Sequence, residues 1–472
     1  MFGFSGFWDR VEFTRPEMLD MYLGLSGSRP VEICLQHVGH GMLGGAAHEM
    51  VDLLVPVGRR IHSLIIHKDW IPSHDASLFM ECSLPELETL SITSDIGWEN
   101  ESIGEPRKRL RALFRGGLPR LRRLFIPEYT PWPHNEFKNL TLLCLYNQYA
   151  IEEELPELLQ MLRGCPGLQE LYIRQHEHST WIQEPPPDLG PTFPAHSLRK
   201  LHLHSFSTKA IVCILSTMVL QPNGVAVNIS DTAMHTNTLD RILPLFPQES
   251  GLGSAKQLEI YHETDLTFGI TYCCTGGSVR IGGDLRGNGG QGRKLATVSL
   301  FRYIYQGCAR TLKDLWIYNF TNVGGEYIFD HFSCFNLDRL VLVAGGDVAD
   351  RLCTVLNPRN PEAQGQDLPA PRLRSLVICG VINQGQLKRL VSLCEGRFKS
   401  DHPLEKVMVA WDTGDVPEWM TRLCSLSPTP VHINTNEWDG QMMELRAVCI
   451  NEPTSWWPSW DEPIIHFNQY NS

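Results

Sequence analysis

Three groups of residues have the types and spacing that chemistry requires. Gly287, Gly289 and Gly292 read G-x-G-x-x-G, after a strand-like SVRI and before an apolar stretch from Leu295. That is the setting in which glycine amides cradle a dinucleotide pyrophosphate. The details argue against it. Two more residues separate SVRI from the first glycine than the tight turn allows, and the next strand-like stretch, WIYNF, ends on no acid. As a P-loop the gap is right, but Arg293 and Lys294 stand where Lys and then Ser or Thr are needed. Residues 282–294 are therefore expected to be a surface loop, with nucleotide or anion binding as the lesser alternative. The second group is histidine. His176 and His178 flank Glu177 just after a strand, where neighbours point apart, whereas His202 and His204 share one face of LHLHS. Two imidazoles lack the third and fourth ligands that zinc takes. With no G-x-S-x-G and no H-E-x-x-H, no catalytic residue, metal or cofactor is expected, and the chain reads as a non-enzyme. The third group is Tyr146, Tyr172, Arg174, His176, His202, His204, Tyr261, Trp316 and Tyr318. Aromatics and Arg are the side chains that carry protein-interface energy.

The elements that position this third group repeat. CPGLQELYI, from Cys165, holds Leu168, Leu171 and Ile173 at L-x-x-L-x-I spacing. LETLSI from Leu87, LRRLFI from Leu121, LTLLCL from Leu140, LRKLHL from Leu198, LKDLWI from Leu312, LDRLVL from Leu337 and LRSLVI from Leu373 bring the matches to eight. Chance would give roughly two at this leucine content, so the pattern is a repeat. Looser copies start at Ile61, Ala255 and Leu404, and VAVNI from Val225 and SVRI from Ser278 are candidate strands in the two wide gaps. In a strand, alternate residues share a face, so the leucines turn inward and the residues between them, including the third group, line the other side.

Between the strands the period changes. Leu155, Leu158, Leu159 and Leu162 fall at i, i+3, i+4, i+7, with acids before them, Arg163 at the end and Gly164 suited to a left-handed cap. MVDLLVPVG, LDRILPLF, VADRLCTVL and LKRLVSLCEG have similar spacing. The expectation is an α/β right-handed leucine-rich-repeat solenoid, a horseshoe of irregular repeats with parallel inner strands and a helical outer wall. Residues 1–55 would form an N-terminal cap, 56–440 the array, and 441–472 a C-terminal cap using Trp456, Trp457 and Trp460. QEPPPDLGPTFPAHS, from Gln183, would be an exposed, partly polyproline loop.

Composition bounds the partners. The net charge is −12, and the densest basic cluster, RKRLRALFR from Arg107, reads as one polar helix face, so nucleic acid is not expected. No apolar run is long enough to span a bilayer and the N-terminus has no signal-peptide pattern, so no membrane partner is expected. Fourteen scattered cysteines without a C-x-x-C pair read as reduced, buried, apolar residues of an intracellular protein, cytoplasmic or nuclear and monomeric.

The first residues add a resemblance. Residues 7–36, with Trp8, Val11, Leu23, Ser26, Gly27, Pro30, Val31, Ile33 and Leu35, resemble the join between F-box and repeats in the large fungal F-box/leucine-rich-repeat families. MVDLLVPVGRRIHSLII from Met50 and LPELETLSI from Leu84 look like the segments that follow, and the likeness runs in outline to about Ile433. The F-box itself would precede Trp8 and is not in this sequence. The resemblance implies protein recognition, as the substrate-recognition part of an SCF-type ubiquitin ligase receptor. A Skp1-type adaptor is expected only if an F-box lies upstream. The alternative is a free-standing leucine-rich-repeat scaffold.

Overall fold

The computed structural model describes residues 10–13, 16–35, 49, 52–67, 83–93, 114, 117–127, 135–148, 154–175, 189–221, 225–233, 238–247, 251–262, 267–274, 277–284, 307–320, 336–344, 346–358, 368–379, 384–411, 418–426 and 429–434. The chain divides into two compact units, residues 1–221 and 222–472. Each is mixed α/β with a mostly parallel sheet.

Unit 1 opens with β1 (Arg10–Phe13), α1 (Pro16–Ser26) and β2 (Val31–Leu35). Then come β3 (Ile61–His67), β4 (Thr89–Thr93), β5 (Arg123–Pro127), β6 (Leu142–Gln148), α2 (Leu155–Arg163) and β7 (Glu170–Gln175). It ends with β8 (Phe193–Ala195), β9 (Lys200–His204), α3 (Thr208–Thr217) and β10 (Met218–Leu220). From β1 to β7, and then to β9, each strand pairs in parallel with the one before. The register puts Leu64, Leu90, Leu124, Leu143, Leu171 and Leu201 in one continuous row, every one at 0% exposure. α1 stops at Gly27, whose φ of +61° is a conformation that costs side-chain-bearing residues energy.

The L-x-x-L spacing has a hydrogen-bond reason. An i to i+3 turn delivers the first leucine, as in Leu87 to Leu84, Leu121 to Leu118, Leu140 to Phe137 and Leu168 to Cys165. The carbonyl of the residue after that leucine then accepts two amides from the next repeat. Glu88 accepts from Arg122 and Arg123, Arg122 from Thr141 and Leu142, Thr141 from Gln169 and Glu170, and Gln169 from Arg199 and Lys200, all at 2.7–3.0 Å. Unit 2 uses the same device at Lys256, Lys313, Asp338 and Arg374. Two residues between the leucines are what this shared carbonyl demands.

Unit 2 contains β11 (Val225–Ala233), α4 (Thr238–Ile242), β12 (Gln257–His262), β13 (Thr267–Cys274), β14 (Gly277–Asp284), β15 (Asp314–Phe320) and β16 (Arg339–Ala344). It continues with α5 (Gly346–Leu356), β17 (Ser375–Cys379), α6 (Gln384–Lys399), β18 (Lys406–Trp411), α7 (Glu418–Leu426) and β19 (Thr429–Asn434). β12 and β15 to β19 are parallel neighbours, with Leu258, Leu315, Leu340, Leu376 and Val407 in one buried row.

Several expectations need correction. VAVNI and SVRI are strands, but the second belongs to an antiparallel hairpin: β13 runs against both β12 and β14, and β14 lies parallel to β11. A tight connection between β13 and β14 permits this, whereas a parallel neighbour needs a long crossover. The residues leading into β4, β5 and β6 form turns. Gly164 caps α2 at φ −72°, not in the left-handed region, and its amide bonds back into the helix. The end of the proline-rich insertion is strand, since Phe193–Ala195 pairs with Met218–Leu220. The glycine motif from Gly287 to Gly292, the basic cluster before Phe114 and the tail tryptophans lie outside the described residues.

Candidate recognition face

On β6, β7 and β9 the side chains between the leucines share a face. Cys144, Tyr172 and His202 form one row, and Arg174 pairs with His204 in the next. Tyr172 is buried; Tyr146, Arg174, His202 and His204 are half-buried. Arg174 donates from Nη1 to the Tyr146 hydroxyl at 2.9 Å, and its guanidinium lies 5.1 Å from that ring's centroid. The His202 ring meets Tyr172 and His204 edge-on, both with centroids 6.1 Å apart. One rung below, Tyr172 donates to Glu170 at 3.2 Å and Lys200 pairs with Glu170 at 3.5 Å. The row continues through Phe125, Ser91, Ile65 and Cys34. Sequence reasoning passed over Glu170, Lys200 and Phe125, although alternation alone puts them on this face. His176 lies outside the described residues.

Unit 2 is different. Trp316 and Tyr318 were expected on an open face; both are 1% exposed, stacked with centroids 6.3 Å apart and packed with Val341, Val343 and Val377. Tyr261 is half-buried against the same cluster, its ring over Gly269 of β13. The physical reason stands in the sequence. The positions between the leucines of β16, β17 and β18 include Val341, Val343, Val377 and Met408, so these strands are apolar on both faces, as strands covered on both sides are. Those of β7 and β9 are charged or polar. Toward β11 the row turns polar, through Glu259, Thr271, Arg280 and Asn228, where Arg280 Nε donates to Thr271 at 3.2 Å. Of the sequence-proposed residues, the structure thus brings Tyr146, Tyr172, Arg174, His202 and His204 together and places Tyr261, Trp316 and Tyr318 in a separate apolar cluster.

Among the described residues no three of His, Cys, Asp and Glu are grouped to hold a metal ion. Cys34, Cys144, Cys165, Cys213, Cys308, Cys353 and Cys394 are free thiols in buried positions, and Cys273 and Cys274 are free and half-buried. Burial pushes the thiols of Cys144, Cys165, Cys308 and Cys394 up to about 12, the reverse of what a nucleophile needs. Among the described residues no helix is long and apolar enough to cross a membrane. No protein-family model matches the chain, and no curated protein matches it either.

Proposed function

We propose that this protein is a leucine-rich-repeat recognition protein that binds another protein through the β6–β7–β9 face. The observation that carries this is a combination. The same shared-carbonyl device recurs in both units, and unit 1 sets beside its leucine row a half-buried face of Tyr, Arg and His side chains. Arg and aromatics in such settings carry binding energy. We further propose that each unit is a run of right-handed solenoid repeats, and that the protein serves as the substrate-recognition part of an SCF-type receptor, as its resemblance to the fungal F-box/leucine-rich-repeat families suggests. The test is affinity capture from native lysate with and without added Skp1-type adaptor, using the parent chain and an Arg174→Ala, His202→Ala, His204→Ala variant. The variant should keep its circular dichroism spectrum and lose the captured proteins. Equal capture by a folded variant would remove this face from consideration. Adaptor-independent capture would favour a scaffold with no ligase link.

A further inference from the structure

We infer that the outward stripe of α1 docks an amphipathic helix of a partner protein, one that carries Lys or Arg beside its apolar face. This is a second surface, on a different element from the β6–β7–β9 face, and it stands or falls independently of the recognition proposed there. α1 buries Leu19, Tyr22, Leu23 and Ser26 along one side. Met18, Met21 and Leu25, at i, i+3 and i+7, form a second apolar stripe beside it and are 42%, 58% and 59% exposed. A single surface leucine calls for no explanation, but three large apolar side chains in line on one helix do. The helix that presents them is held in place. Ser26 Oγ donates to the Leu23 carbonyl at 3.1 Å, while Arg60 donates from Nη2 to Ser26 Oγ and from Nε to the Arg29 carbonyl at 3.0 Å. A surface oriented in advance loses less freedom on binding.

The far edge of the stripe sets the chemistry of that helix. Going round α1 away from the buried side, Met21 is followed by Glu17, Gly24 and Asp20. α1 holds two acids and no Lys, Arg or His, and neither acid forms an ion pair among the described residues. Glu17 has a use of its own at the positive start of the helix, but that field fades beyond the first turn, where Asp20 stands. Asp and Gly are both poor helix formers. A Cβ at Gly24 would meet nothing within 4 Å, so no packing within the chain calls for the glycine. Local rules broken on an exposed face without gain to the fold point to a partner. Met18, Met21 and Leu25 offer it an apolar ridge, Gly24 a notch for a side chain, and Glu17 and Asp20 a place for its cations. Methionine suits such a ridge because its unbranched thioether adapts to the shape it meets. An anionic lipid surface would instead be repelled by these acids.

The experiment titrates the full chain into the fluorescently labelled synthetic peptide LKKLLKLLKKLLKL, whose leucines fall at helical spacing, and reads anisotropy. Two control peptides replace every Lys by Glu or every Leu by Ser. The lysine–leucine peptide should bind saturably and at least about tenfold more tightly than either control. Met21→Gln with Leu25→Gln should weaken it by at least about tenfold. Glu17→Gln with Asp20→Asn should weaken it several-fold and flatten its salt dependence. All four side chains are exposed, so the circular dichroism spectrum should not change. Phe398→Gln, which removes a comparably exposed apolar side chain elsewhere, should leave binding as it is. Equal binding of the glutamate peptide, unchanged affinity in either double variant, or an equal loss in Phe398→Gln would each overturn the inference. A parent dimer in sedimentation that Met21→Gln with Leu25→Gln dissociates would assign the stripe to a second copy of the chain and overturn it as well. The β6–β7–β9 residues are unaltered in all these variants, so none of these outcomes bears on the recognition proposed there.

Discussion

Arg397, near the end of α6, is wholly buried and donates to four backbone carbonyls: Pro369 at 3.1 Å, Ala370 at 3.0 Å, Leu373 at 3.4 Å and His402 at 3.2 Å. Burial brings its guanidinium down to about 10. The three carbonyls from 369 to 373 belong to the turn that delivers β17, where Ala370 sits at φ 44° in the left-handed region. Arg397→Met should cost at least ~3 kcal/mol in urea unfolding, because each buried carbonyl left unpaired costs about 1–3 kcal/mol. Arg397→Lys should not restore it, since a point charge cannot serve that fork of acceptors. Gly269 is a second residue whose identity is forced. A Cβ there would come within 2.2 Å of the Tyr261 ring, because the two residues are opposed across β12 and β13. Gly269→Ala should therefore destabilise by about 1–3 kcal/mol. The same substitution in a Tyr261→Ala background should cost much less, a coupling that a double-mutant cycle reads directly.

At the scale of elements, the leucine row and the helix behind it can be tested separately. Leu171 is at 0% exposure between Leu143 and Leu201 in the sheet. Leu171→Ala should lower unfolding stability by about 2–5 kcal/mol, and the spread depends on how far the row can close over the gap. α2 buries Leu155, Leu158, Leu159 and Leu162, the stripe that helical periodicity picks out. Its last residue does something periodicity does not announce. Arg163 donates to the carbonyls of Leu189 and Pro191 and lies 5.5 Å over the Phe193 ring, fastening the chain just ahead of β8. These are exposed or part-buried contacts, so Arg163→Ala should change global stability by less than about 1 kcal/mol. Limited proteolysis near residues 189–193 should nevertheless quicken, because a local clasp governs local opening.

For the molecule as a whole, the buried thiols set an alkaline limit. An unfolded thiol ionises near 9.0, while Cys144, Cys165, Cys308 and Cys394 keep their protons to about 12 when folded. Between those values the unfolded chain binds fewer protons than the folded one, so stability falls as pH rises. The slope approaches ~1.4 kcal/mol per pH unit for each thiol. Urea midpoints should be flat in this respect below pH 8 and decline from pH 9 upward. A Cys144→Ala, Cys308→Ala double variant should decline less steeply. An unchanged slope in that variant would refute the thiol origin.

The sequence by itself determined the leucine rows. A repeated L-x-x-L-x-[LIV] forces each strand to bury alternate residues, and the positions Leu90, Leu124, Leu143, Leu171, Leu201, Leu315, Leu340 and Leu376 are all buried as that spacing requires. It also determined which residues face away from the leucines. Tyr172, Arg174, His202 and His204 sit together because alternation and parallel register leave them nowhere else. Only the tertiary structure decided what covers that second side. Arg174 and His202 are half-buried, whereas Trp316 and Tyr318, at equivalent positions, are sealed in an apolar cluster. It also decided the antiparallel hairpin of β13 and β14, whose strands carry no L-x-x-L mark. The reason is one of range. Periodicity is set within a single strand, by backbone geometry that every residue obeys. Coverage and strand order are set by segments far away in sequence, and the local record is partial: the apolar positions between the leucines of β16, β17 and β18 mark a side that is covered, without saying by what.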